Sequence, residues 1–155
     1  MDTEKLNFIC NEFVPKVKTL PGGATGKWGK MNAQQMTEHV TTFFNVSTEK
    51  IKFPLSVPEE HLPKYREFLF SDKQFRENTK APGNVIGEEP LPLRYENMEQ
   101  AVNKLAASIG NFETYFNTNP GKTTTHPVFG PLNFEEWVLL HYKHVTHHLR
   151  QFGLL

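Results

Sequence analysis

Three times along the chain an asparagine is followed three residues later by glutamine or glutamate, each time at the head of an apolar stripe: Asn32 with Gln35, Asn97 with Gln100, Asn133 with Glu136. An asparagine so placed accepts the backbone N–H of the third residue, and that residue's side chain reaches back to the asparagine's own N–H. Orphan donors at a helix start are thereby satisfied in pairs. Met31 and Met36 can staple the first start, Leu132 and Trp137 the third. The pattern commits the chain to helices beginning at fixed points.

The apolar stripes downstream of these starts agree with them. Met98, Ala101, Val102, Leu105, Ile109, Phe112 and Phe116 form one stripe at three- and four-residue spacing, predicting a helix to about Phe116. The last helix runs from Asn133 to a stop at Gly153. A further stripe, Leu6, Ile9, Cys10, Phe13, Val17 and Leu20, predicts a first helix over residues 4–19, bent or shortened by Pro15. The breaker run Pro21–Gly26 and then Trp28-Gly29-Lys30-Met31 separate it from the second.

A stretch rich in Pro and Gly, from about Ile51 to Tyr95, joins the second and third helices and holds one short helix near His61 to Phe70. A connector of this length in a compact domain is a crossover or covers a site. No strand alternation, internal repeat or low-complexity tract is evident. The expectation is an all-α bundle of four main helices forming one domain over residues 1–155, with a long crossover connection and one short extra helix.

A chain of 155 residues can bury roughly two-thirds of its surface, and 13 Phe and 2 Trp contribute large apolar areas to one core. Lys plus Arg and Asp plus Glu balance at 17 each, so no net field draws in phosphate backbones or anionic lipid; nucleic acid and membrane are not expected partners. The single cysteine, Cys10, forms no internal disulfide, and Met1-Asp2-Thr3-Glu4 does not resemble a leader, which points to the cytoplasm. The apolar runs fall far below the ~20 residues of a membrane span.

Against this neutral background the histidines stand out. His141, His144, His147 and His148 crowd the last helix, out of seven in the chain. At 100° per residue His144 and His148 differ by about 40° and one turn, so both imidazoles can address one point. His141 and Gln151 lie near the same direction, as do Trp137 and Val145, so this face looks inward; His147 is turned about 60° aside. His39, three residues after Met36 and four before Phe43, puts an imidazole on the otherwise apolar face of the second helix. Gln35 shares that face one turn earlier.

A lone histidine on an apolar stripe is more often a core residue bonded to a carbonyl, and histidines near a helix C-terminus are favoured by the dipole. His144 lies too far from Gly153 to gain much from that, and the joint pattern favours a metal site of His39, His144 and His148. Three neutral imidazoles leave a divalent ion an open position, as in catalytic zinc; nickel or iron also accept such ligands. No Glu follows His144, so the His-Glu-x-x-His protease pattern is absent, as are Gly-x-Gly-x-x-Gly and phosphate-loop motifs.

Two stretches carry a resemblance. Trp28-Gly29-Lys30-Met31-Asn32-Ala33-Gln34-Gln35-Met36-Thr37-Glu38-His39 resembles the entry to the second helix in a branch of the DinB-like superfamily known only as a domain of unknown function. His126-Pro127-Val128-Phe129-Gly130-Pro131, Glu136-Trp137 and the run from Lys143 to Gly153 are similar to the same branch, as is Phe75 to Pro82. The resemblance implies an up-down-down-up four-helix bundle with one metal-binding histidine on the second helix and two on the last, at the positions of His39, His144 and His148. Gln151 matches a glutamine that follows the paired histidines in the wider superfamily, although Leu149-Arg150 replaces the usual Arg-Gly before it. Some superfamily members are thiol S-transferases using bacillithiol, mycothiol or related low-molecular-weight thiols, and homodimers are common.

These residues support two functional expectations. One is a metal-dependent enzyme acting on a small-molecule substrate, a thiol S-transferase or hydrolase, with Gln35, His141, Gln151 and Trp28 orienting ligands or lining the pocket. Trp28 and Phe129 would stand at its mouth, although aromatic residues beside helix starts are more often packing staples, and Glu38 reads as a solvated neighbour rather than a base. The other is a non-enzymatic metal-binding or stress-response protein. A histidine-lined core holding no metal is the plain alternative to both.

Overall fold

A computed structural model describes residues 1–79 and 89–155, which are mostly helical with one small sheet. The elements are α1 (Thr3–Asn7), a π-helical turn (Phe8–Glu12), α2 (Phe13–Val17), α3 (Ala33–Ser47), a 3-10 turn (Glu59–His61), α4 (Leu62–Phe70), α5 (Met98–Thr118), strands β1 (Thr124–His126) and β2 (Gly130–Leu132), and α6 (Phe134–Gln151).

The helix starts obey the caps. Asn32 and Gln35 exchange both bonds of the capping box at 2.9 Å each, and Asn133 and Glu136 do so at 3.0 Å each. At Asn97 only half the device forms, because Gln100 turns its side-chain oxygen to the N–H of Glu96 instead. The first helical stretch, expected as one helix over 4–19, is broken in the middle and ends at Val17. Pro15 has no N–H to give the carbonyl of Asn11, and the preceding turn widens, with Phe13 N–H bonding back to Phe8.

The expectation of an all-α chain without strands is corrected by β1 and β2, which pair antiparallel with Thr124 opposite Leu132 and His126 opposite Gly130. Three residues per strand are too few to display alternation. The hairpin is held from outside: Trp137 Nε1 donates to Thr124 Oγ1 (2.8 Å), whose hydroxyl donates to the Ser47 carbonyl at the end of α3 (2.8 Å). His126 stabilises its turn, Nδ1 accepting from the N–H groups of Val128 and Phe129.

The core joins residues from all the main helices and the hairpin, including Ile9, Phe13, Phe44, Phe112, Leu132 and Trp137, each fully buried. α3 packs most extensively on α5 and also meets α6. Its buried threonines cause no unpaired polar atoms, since Thr37, Thr41 and Thr42 each donate to the carbonyl four residues back. The long connection between α3 and α5 includes residues 80–88, so Lys80, Ala81 and Pro82, which carry part of the resemblance, lie outside the described residues. Among the described residues no helix is long and apolar enough to cross a membrane.

Candidate metal centre

The inward stripe of α3 and the inward stripe of α6 meet at three imidazoles. His39 Nε2 lies 3.0 Å from His144 Nε2, and His144 Nε2 lies 3.0 Å from His148 Nε2. The three rings meet edge to face, with centroids 4.7–5.0 Å apart, and their ligand atoms all fall within 4.8 Å of one another. Nitrogens bound tetrahedrally to one ion at ~2.1 Å are separated by about 3.4 Å. The two close pairs would need to open by only a few tenths of an ångström.

The protons are constrained by what surrounds the rings. Gln151 Nε2 donates to the Trp28 carbonyl (3.0 Å), which fixes the amide and leaves Oε1 to accept from His148 Nδ1–H at 2.7 Å. A neutral imidazole protonated at Nδ1 presents a lone pair at Nε2, so His148 turns an acceptor toward the other two nitrogens. A single proton on His144 Nε2 cannot point along both of its 3.0 Å contacts, and three imidazole nitrogens facing one point is an arrangement that one cation satisfies. Burial lowers His39 to about 4, with His147 adding to the effect. Burial likewise holds His144 and His148 well below the ordinary histidine value, with neighbouring histidines contributing and the bond to Gln151 opposing at His148. All three are therefore neutral at pH 7, the state in which imidazole binds metal.

Gln151 is positioned by glycine. Gly29 has φ +78°, and a Cβ there would lie 2.8 Å from Gln151 Nε2; a Cβ on Gly26 would lie 3.0 Å from Gln151 Cγ. Only residues without a side chain let the loop close on Gln151, and Lys27 N–H then bonds the Gln151 carbonyl at 2.7 Å. Trp28 acts here through its backbone oxygen, while its indole packs 5.5 Å from His147.

The other candidate residues are distributed differently. Gln35 directs its side-chain oxygen to the Asn32 cap, so it makes no bond to His39, yet it lines a small cavity with His39 beside α3. His141 is buried between aromatic rings, stacked 3.9 Å from Phe44 and 5.1 Å from Trp137, and its Nε2 has no hydrogen-bond partner among the described residues. It does not join the three. His147 stands aside from them as its angle predicts, but it is buried against Trp28, Phe75 and His148.

Two expectations are corrected. Glu38 is not solvated: it is 5% exposed, with Oε1 accepting from the Arg94 N–H (2.7 Å) and Oε2 from Gln34 Nε2 (3.1 Å). Phe129 lines no mouth; it is buried among Tyr65, Phe68, Phe75 and His126. Arg94 carries no signal in the sequence, because its partners lie more than 50 residues away and no local spacing reveals them.

A family model described as "Protein of unknown function (DUF1569)" matches residues 2–153. No curated protein and no solved structure matches the chain.

Proposed function

This chain belongs to the DUF1569 family, and we propose that it binds one divalent ion through His39, His144 and His148 and works as a metal-dependent enzyme on a small molecule. The reading is carried by the convergence of three neutral Nε2 atoms, one with its lone pair set by Gln151. Such a donor set fits zinc, nickel or iron in the divalent state.

The resemblance of the 28–39 and 126–153 stretches to the DinB-like superfamily supports the same reading and the up-down-down-up bundle it implies. It also supports a thiol S-transferase type of reaction, with small-molecule hydrolysis as the neighbouring possibility. Bound at three histidines, a divalent ion leaves a position free and supplies a Lewis acid that can hold a thiol as thiolate or acidify water. The chain's own residues do the rest. Gln151 orients His148, the Gly26–Gly29 loop holds Gln151 in place, and the ring of Phe43 packs against the edges of His39 and His144.

The test is metal analysis of the purified protein and of His39→Ala, then thiol-conjugation and ester-hydrolysis assays on metal-restored protein. One ion per chain, lost in the variant, with metal-dependent turnover is the expected result. Background metal in both proteins would defeat the reading. A full site inert toward every thiol and ester tried would move the function to a non-enzymatic metal-binding role.

A further inference from the structure

Beside His39, a small cavity is walled on one side by α3 and on the other by the segment Pro90-Leu91-Pro92, which leads into Arg94. His39 and His144 are the two of the three histidines that remain partly exposed, and His39 lines this cavity. The cavity therefore reaches the site at His39, the one of the three histidines that lines it. Its apolar wall comes from Met31, Pro90, Leu91 and Pro92; its polar wall comes from Gln35, Glu38, Thr42 and Arg94.

Arg94 is held in a defined pose. Its Nη2 donates to the Glu38 carbonyl (3.1 Å) and to Thr42 Oγ1 (2.9 Å), and its Nε lies 3.7 Å from Glu38 Oε1. Both Glu38 oxygens are already engaged by the Arg94 N–H and by Gln34. Nη1 makes no hydrogen bond among the described residues, the guanidinium carbon lies 5.8 Å from the centre of the Tyr95 ring, and the side chain is 44% exposed. A guanidinium fixed through one nitrogen with the other left open is pre-organised to receive an anion. Glu38, His39 and Thr42 span about one helical turn, roughly 5 Å, so a short molecule can reach both Arg94 and the histidines.

We infer that the substrate is a small anion whose carboxylate or phosphate is bound by Arg94 while its reacting group sits at the three-histidine site; this rests on the metal reading above. Arg94 is thus a specificity-determining residue, and molecules lacking the anionic group bind without its help.

The probes are 3-mercaptopropionate and its neutral counterpart 3-mercaptopropanol, titrated into cobalt(II)-loaded protein and monitored by the thiolate-to-cobalt charge-transfer band. The charge of the ion itself favours the carboxylate, so each titration is repeated on Arg94→Gln. The wild type binds the carboxylate probe more tightly, and Arg94→Gln loses at least about tenfold of that preference, the lower end of a charge-assisted bond. Affinity for 3-mercaptopropanol and the cobalt spectrum stay unchanged, showing that the variant is folded and loaded. Equal affinities in the wild type, or a preference that survives in Arg94→Gln, would overturn the inference and leave the metal reading standing. A wild type that takes up no cobalt would overturn both.

Discussion

Gln151 and Glu136 lie on the same helix and have different tasks. Gln151 bonds to His148 alone among the three histidines, yet it decides which nitrogen of that ring carries the proton. Such outer partners are worth about 10–100-fold in metal affinity. Gln151→Ala is therefore expected to keep the stoichiometry of one ion but weaken binding by about that factor in a competition titration. Gly29→Ala should move in the same direction, because its Cβ displaces Gln151 Nε2. Glu136 bears on stability instead. Burial raises its pKa, but the bonds to Arg66 (2.6 Å) and to the Asn133 N–H outweigh this, and the net shift is downward. A carboxylate lowered on folding adds stability above its unfolded value near ~4.3, and that contribution is lost as pH falls through the lower folded value. Glu136→Gln should flatten the acid limb of the stability–pH curve below about pH 4.5 by roughly 1 kcal/mol or less, since Arg66 is 42% exposed. An acid limb identical to wild type would show that the pair contributes nothing.

Among the elements, the caps separate folding from the site. Asn97→Ala removes a bond to the Gln100 N–H at the head of α5, which carries none of the three histidines, and should cost about 1 kcal/mol in denaturant melts while metal binding stays as in wild type. Asn32→Ala removes the side-chain bond of the capping box of α3, the helix that carries His39, while the backbone N–H of residue 32 still donates to Gln35; it should lower stability by a similar amount and weaken metal binding as well. Equal effects of the two on metal affinity would mean that α3 is held by its packing against α5 rather than by its start. The segment from Glu89 to Tyr95 is tied to α3 by polar bonds, Arg94 to Glu38 and Thr42 and the Tyr95 carbonyl to Gln34 Nε2 (2.9 Å). Leu91 and Leu93 meanwhile face solvent. It is positioned by hydrogen bonds rather than by burial.

For the whole molecule, the features legible in the sequence are those that depend on local spacing. Asn32, Asn97 and Asn133 place three helix starts correctly because capping is an exchange between residues three apart, and the pair His144 and His148 comes from one turn of helix. His39 is legible as a polar break in an apolar stripe. The hairpin is not, since its support comes from Trp137 and Ser47, distant in the chain. Nor is the burial of Glu38, which depends on Arg94 56 residues away. The π-helical turn is hidden for a different reason: Pro15 announces a disturbance but not its geometry. The central claim is that the two inward stripes meet around an ion, and X-ray absorption at the metal edge of the protein as isolated, with stoichiometry measured beside it, tests that most directly. One ion per chain with three imidazole nitrogens at ~2.1 Å in the wild type, and no ion in His39→Ala, is the predicted result; wild-type protein that holds no metal, or a His39→Ala protein that holds an ion with the same coordination, would contradict it.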